Sequence, residues 1–122
     1  MPHEIRIVEE GSLMLVTVSR ELEGGSRETV NRLRDLCRRE IGPGVSLVVD
    51  FSGINICPSM VWGNLIVQAK RMREDDGAVA ICGLRPTVAK AVQIIGMGKY
   101  VEICKDSDEA VLRLRGEGGS DG

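Results

Sequence analysis

Two nucleophilic side chains, Cys57 and Ser59, flank Pro58 inside the stretch Ser46 to Leu65, SLVVDFSGINICPSMVWGNL. A hydroxyl or thiol in that setting can attack a substrate, cap a helix or carry a phosphate. Covalent catalysis needs an activating base within reach. The only histidine is His3, at the start of the chain, and no lysine motif adjoins the stretch, so an enzyme is not expected. The four cysteines, Cys37, Cys57, Cys82 and Cys104, include no close pair, which argues against zinc ligation and against a Cys-x-x-Cys redox motif. Cys37, Cys82 and Cys104 fall in apolar segments and are expected as small buried hydrophobes. Cys57 precedes an expected helix start, where a thiolate would be favoured.

The elements that position these groups follow from the local pattern. Leu47, Val48 and Val49 form an apolar run ending at Asp50, the signature of a buried strand. Ser52-Gly53 is turn chemistry, Ile54-Asn55-Ile56 is a short extended piece, and Pro58 keeps Cys57 out of helical dihedrals. From Val61 the spacing turns helical, with Val61, Trp62, Leu65, Ile66, Ala69 and Met72 on one face. Ser59 therefore reads as the N-cap, contributing about 0.5–2 kcal/mol over alanine. A phosphate there would add about 1.5–2 negative charges, which the positive end of the helix dipole tolerates. The two readings are compatible.

Upstream, residues 4–8 and 13–18 pattern as a hairpin whose second strand lies deeper. Ser26 is placed to cap a helix carrying Val30, Leu33 and Cys37, stopped by Gly42-Pro43-Gly44. Downstream, the helix opened at Ser59 should run to Glu74, with Lys70, Arg71 and Arg73 on a solvated face. A buried strand is expected at 78–82, then a helix starting at Pro86 with Val88, Val92 and Ile95 facing inward. A short strand at 100–104 and a final helix capped by Asp106 or Ser107 follow. The pattern is α/β: a mixed sheet of about four to five strands with four helices, an N-terminal hairpin leading into alternating helix–strand units. In such sheets sites collect where carboxyl ends of strands meet helix N-termini, the place given to Ser59.

With 122 residues, 43% hydrophobic and 28% charged, the chain reads as one globular domain over residues 1–115, with a flexible Gly/Ser tail over 116–122. A net charge of −2 and 2% aromatic residues leave no basic footprint or stacking platform for nucleic acid. No apolar run spans a membrane and no leader is evident, so a cytoplasmic location is expected.

Several short motifs occur in a telling order: Arg20-Glu21-Leu22-Glu23, Asp50-Phe51-Ser52-Gly53, Pro58-Ser59-Met60-Val61-Trp62-Gly63, Gly83-Leu84-Arg85-Pro86-Thr87-Val88 and Gly96-Met97. Together they resemble the STAS domain of bacterial anti-sigma factor antagonists and sulphate transporter tails, from about Ile5 to Leu114. The resemblance implies a STAS-like fold, no catalysis, no cofactor and no metal. It places Ser59 at the phosphoacceptor position, with Asp50, Asn55, Pro58, Met60 and Trp62 as the surrounding partner-binding candidates. It also implies an anti-sigma factor with serine kinase activity as partner, and a serine phosphatase to reverse the modification. Each surrounding residue also has a structural reading: Asp50 and Asn55 as turn and loop formers, Pro58 as a rigid spacer, Met60 and Trp62 as packing. The loop departs from the family pattern, where an aspartate precedes the serine and a serine and glycine follow it; here these are Pro58, Met60 and Val61. That departure keeps open a second reading, a constitutive STAS scaffold subunit that is never phosphorylated.

Overall fold

The computed structural model describes residues 4–8, 13–18, 27–40, 42 and 44–114. The strands β1 (Glu4–Val8), β2 (Leu13–Thr17), β3 (Ser46–Asp50), β4 (Val79–Cys82) and β5 (Glu102–Cys104) form one sheet in that order. β1 pairs antiparallel with β2, and every later pairing is parallel. The helices are α1 (Arg27–Glu40), α2 (Ser59–Glu74), α3 (Pro86–Ile95) and α4 (Ser107–Leu114), with a 3-10 turn at Met97–Lys99. The expected mixed α/β sheet with a hairpin and alternating units is the one observed. The turn expected at 9–12, the Ser26 cap and the tail at 116–122 lie outside the described residues, as do the side chains of Val30, Leu33 and Cys37.

Parallel strands wound in one direction carry their crossover helices on one face of the sheet. Met14, Val16, Leu47, Val49, Val79 and Ile81 point to the face packed by α2 and α3. The alternate residues Leu13, Leu15, Val48, Ala80, Cys82 and Cys104 point to the other face, beneath Ala110, Val111 and Leu114 of α4. This two-sided burial is why the central strands are continuous apolar runs rather than alternating ones.

The helix ends obey local chemistry. α3 opens with Pro86 in its first turn and closes at Gly96, whose φ of 81° needs a residue without Cβ strain. At α4, the Glu109 N–H donates to Asp106 Oδ1 at 2.9 Å, and the Lys105 N–H donates to Glu109 Oε1 at 2.6 Å. Asp106 is thus the cap, and Glu109 reaches back in a capping-box manner.

Two expectations needed correction. Ile95 does not line the inner stripe of α3; it is 41% exposed, because the stripe passes from Val92 to Met97, which the 3-10 turn brings back into the core. The last strand is shorter than residues 100–104, because the N–H groups of Tyr100 and Val101 donate to the Met97 carbonyl instead of joining the ladder.

Gly83, just after β4, has φ +69°, and a Cβ there would stand 2.6 Å from Asp50 Oδ1. Gly83→Ala is therefore expected to cost about 2–4 kcal/mol, combining left-handed strain with overpacking. Urea unfolding of the variant checks this; a midpoint equal to that of the parent would contradict it.

Candidate functional site

The carboxyl ends of β3 and β4 form the shelf on which the Ser59 loop rests. Asp50 Oδ1 accepts the Ser52 N–H at 2.9 Å, and the Phe51 carbonyl accepts the Ile54 N–H at 2.9 Å, closing a turn with Ser52-Gly53 at its tip. Arg85, the residue before α3, donates from Nε to the Ser52 carbonyl at 2.9 Å and ties this turn to the neighbouring loop. Asp50 thus spends one carboxylate oxygen inside the turn, in line with its reading as a turn former.

Beneath the loop, Phe51 and Ile54 are fully buried. The Phe51 ring meets Trp62 with centroids 5.2 Å apart and planes inclined at 45°, a tilted aromatic contact. Trp62 is only 2% exposed, so it belongs to the core with Leu65 and Ala69. Of the two readings of Trp62, packing on the apolar stripe of α2 is the one observed, and a partner-facing side chain is not. Above the anchors, the chain faces outward at Asn55, Ile56, Ser59 and Met60, while Cys57 and Pro58 are half-buried.

Ser59 is not the N-cap of α2. Pro58 holds that place with φ −62° and ψ 145°, no side chain caps the helix, and Ser59 is the first helical residue. The proline ring fixes φ and its extended ψ is that of a cap position, so the helix starts one residue earlier than a cap at Ser59 would set it. The Ser59 hydroxyl is consequently not committed to capping. The first turn of α2 also contains no acidic residue, so the positive pole of the helix dipole is not offset from within the helix.

Two surface features of this region were not singled out in the sequence. Ile56 is 63% exposed although Ile54, two residues earlier, is fully buried, because the bend at Asn55 breaks the extended piece between them. Met60 is 40% exposed beside it. Gly63 lies on the exposed side of α2, and a Cβ there would meet nothing within 4 Å. A mid-helix glycine costs roughly 0.8–1 kcal/mol against alanine, and packing within the described chain does not require it here. The only sequence signal for Ile56 was an Ile-Asn-Ile triplet too short to reveal its bend.

Cys57 does not behave as an activated thiol. Burial pushes its pKa up to about 12, overriding any help from the nearby helix end. Burial likewise lifts Cys82 to about 12, with the Asp50 carboxylate adding to the effect, and Cys104 is raised too. Cys57, Cys82 and Cys104 are free, and the latter two are buried as expected. Among the described residues no group of three or more His, Cys, Asp or Glu side chains could hold a metal ion. No described helix is long and apolar enough to cross a membrane.

Two measurements follow from this geometry. Gly63→Ala should raise stability by roughly 1 kcal/mol, read from the denaturation midpoint. At pH 7.5 iodoacetamide should alkylate Cys57 in the folded protein at least about a hundredfold more slowly than in urea, because the thiolate is the reacting form.

The STAS domain family model matches residues 4–110. No curated protein matches the chain significantly by sequence. Among solved structures, an anti-sigma-factor antagonist (STAS) domain protein from Planctomyces limnophilus is similar at a TM-score of 0.74 and 18% identity, covering 91% of this chain and 97% of that one. The anti-sigma factor antagonist SpoIIAA in its unphosphorylated form gives a TM-score of 0.76 at 17% identity, covering 93% and 96%. A chain of the stressosome, a signal integration and transduction hub, gives 0.71 at 18%, covering 92% and 96%. At these identities the likeness to solved structures is one of fold. The family match over residues 4–110, joined to the sheet order and the loop at Ser59, identifies this chain as a member of the STAS domain family.

Proposed function

We propose that this protein is a regulatory protein-binding module of the anti-sigma factor antagonist kind. It docks on an anti-sigma factor with serine kinase activity and is switched off by phosphorylation at Ser59. The observation that carries the reading is the exposure of Ser59 at the first position of α2, beside the exposed apolar side chains of Ile56 and Met60. Apolar side chains of this kind are suited to the buried centre of an interface, and a phosphate between them would add charge and a desolvation cost. Asn55 and Pro58 belong to the same surface, and Asp50 holds its turn in place. A serine phosphatase would restore the docking form. The chain acts without catalysis or cofactor in this scheme, as one cytoplasmic domain over residues 1–115 with a tail at 116–122.

Gly63 fits the same surface. It keeps the exposed side of α2 low between Met60 and Val67, both of which are exposed, and so permits close approach by a partner backbone.

The replacement of the family's flanking residues by Pro58, Met60 and Val61 favours a second reading, a constitutive scaffold subunit in a larger signalling or transport assembly. The likeness to a stressosome chain supports it at the level of fold. The two readings share the docking surface and differ in whether Ser59 is modified.

Incubation with an anti-sigma factor kinase that binds this protein, and ATP, is expected to add one phosphate to the parent and none to Ser59→Ala. A kinase that binds the parent yet leaves Ser59 unmodified would decide for the scaffold, as would equal partner affinity of the parent and Ser59→Asp. In either reading Ile56→Glu and Met60→Glu should weaken the partner complex about tenfold or more while leaving the melting temperature in place.

A further inference from the structure

At the opposite end of the sheet from Ser59, a cavity of about 360 Å³ opens between the C-terminal half of α2 and the segment leading into β5. Its size falls within the roughly 300–1,000 Å³ typical of small-molecule sites. The floor is apolar, formed by the buried side chains of Ala69, Val79 and Val101. The rim is cationic. Arg73 and Lys99 line it, and the Lys70 ammonium stands 5.5 Å from the centre of the Tyr100 ring, which lines it too.

These cations are not neutralised locally. Arg73 makes one long hydrogen bond, from Nη2 to the Tyr100 carbonyl at 3.5 Å, and among the described residues none of Lys70, Arg73 and Lys99 forms an ion pair. Glu102 is the carboxylate among the lining residues, and it is held by Arg113 at 3.0 Å. Gly98 at the mouth carries no side chain to obstruct entry. The geometry points to a binding site for a small phosphomonoester whose organic body is apolar or aromatic. The body would lie on the apolar floor against Tyr100, and the phosphate would meet Arg73 and Lys99 at the rim. A phosphate dianion matches this cluster better than a single carboxylate, and the guanidinium fork of Arg73 suits phosphate oxygens.

The inference stands apart from the role of Ser59, and phenyl phosphate tests it on the full chain. Titration followed by amide NMR is expected to give saturable shifts at Ala78, Gly98, Lys99 and Tyr100, with the Ser59 loop unmoved. Inorganic phosphate should bind at least about fivefold more weakly, because it leaves the floor uncovered. The double variant Arg73→Gln with Lys99→Gln should lose at least about tenfold in affinity while keeping the spectrum of the folded protein. Binding should also weaken as pH falls from 7.5 to 5, since the phosphate takes up its second proton near pH 6. No saturable shift up to 10 mM probe, shifts spread over every basic surface, or affinity unchanged in the double variant would overturn the proposal.

Discussion

The buried contact between Phe51 and Trp62 governs the end of the molecule that carries the Ser59 loop. Phe51 follows the last residue of β3 and Trp62 lies in the first turns of α2, so their packing fixes strand end and helix start relative to one another. Ile54 adds a third buried anchor between them. With both ends and the middle of the segment held in the core, the remaining residues have one direction left. Asn55, Ile56, Ser59 and Met60 face out because their neighbours face in. Interiors are packed densely enough that such anchors act as fixed points rather than soft restraints.

The backbone of the shelf reinforces that arrangement. Thr17, Asp50, Cys82 and Cys104 stand in register across four strands. The Asp50 carboxylate closes the first turn of the loop, and Gly83 yields the space that this carboxylate occupies. Arg85 then links the loop to the start of α3. Burial raises the nearby thiols Cys57 and Cys82 well above the ordinary thiol range, and the Asp50 carboxylate adds to the effect on Cys82. The loop is thus built to present a hydroxyl and apolar side chains, not a reactive sulphur.

Much of this was legible from residue order. Continuous apolar runs gave the central strands, turn residues marked the loops, and helical spacing from Val61 gave α2 its end at Glu74. The misses have different causes. Ile95 fits the stripe of α3 on an ideal helix, yet the 3-10 turn substitutes Met97 for it in the core. Ser59 has the side chain of a cap, yet the dihedrals of Pro58 claim the capping position. Cys57 stands near a positive helix end, yet its burial outweighs that field. Ser59 and Ile95 lost to backbone geometry one or two residues away, and Cys57 to burial by the packed fold.

The amino-acid sequence by itself determined the order of elements, the burial of the central strands and the placing of Ser59 at the opening of α2, because periodicity and turn chemistry act over a few residues. Only the tertiary structure decided which side chains of that region reach the surface. It turned Ile56 outward, and it brought Arg73, Lys99 and Tyr100 together around one cavity. Exposure and convergence depend on how separate elements pack, a sum over distant contacts that no local stretch of sequence contains.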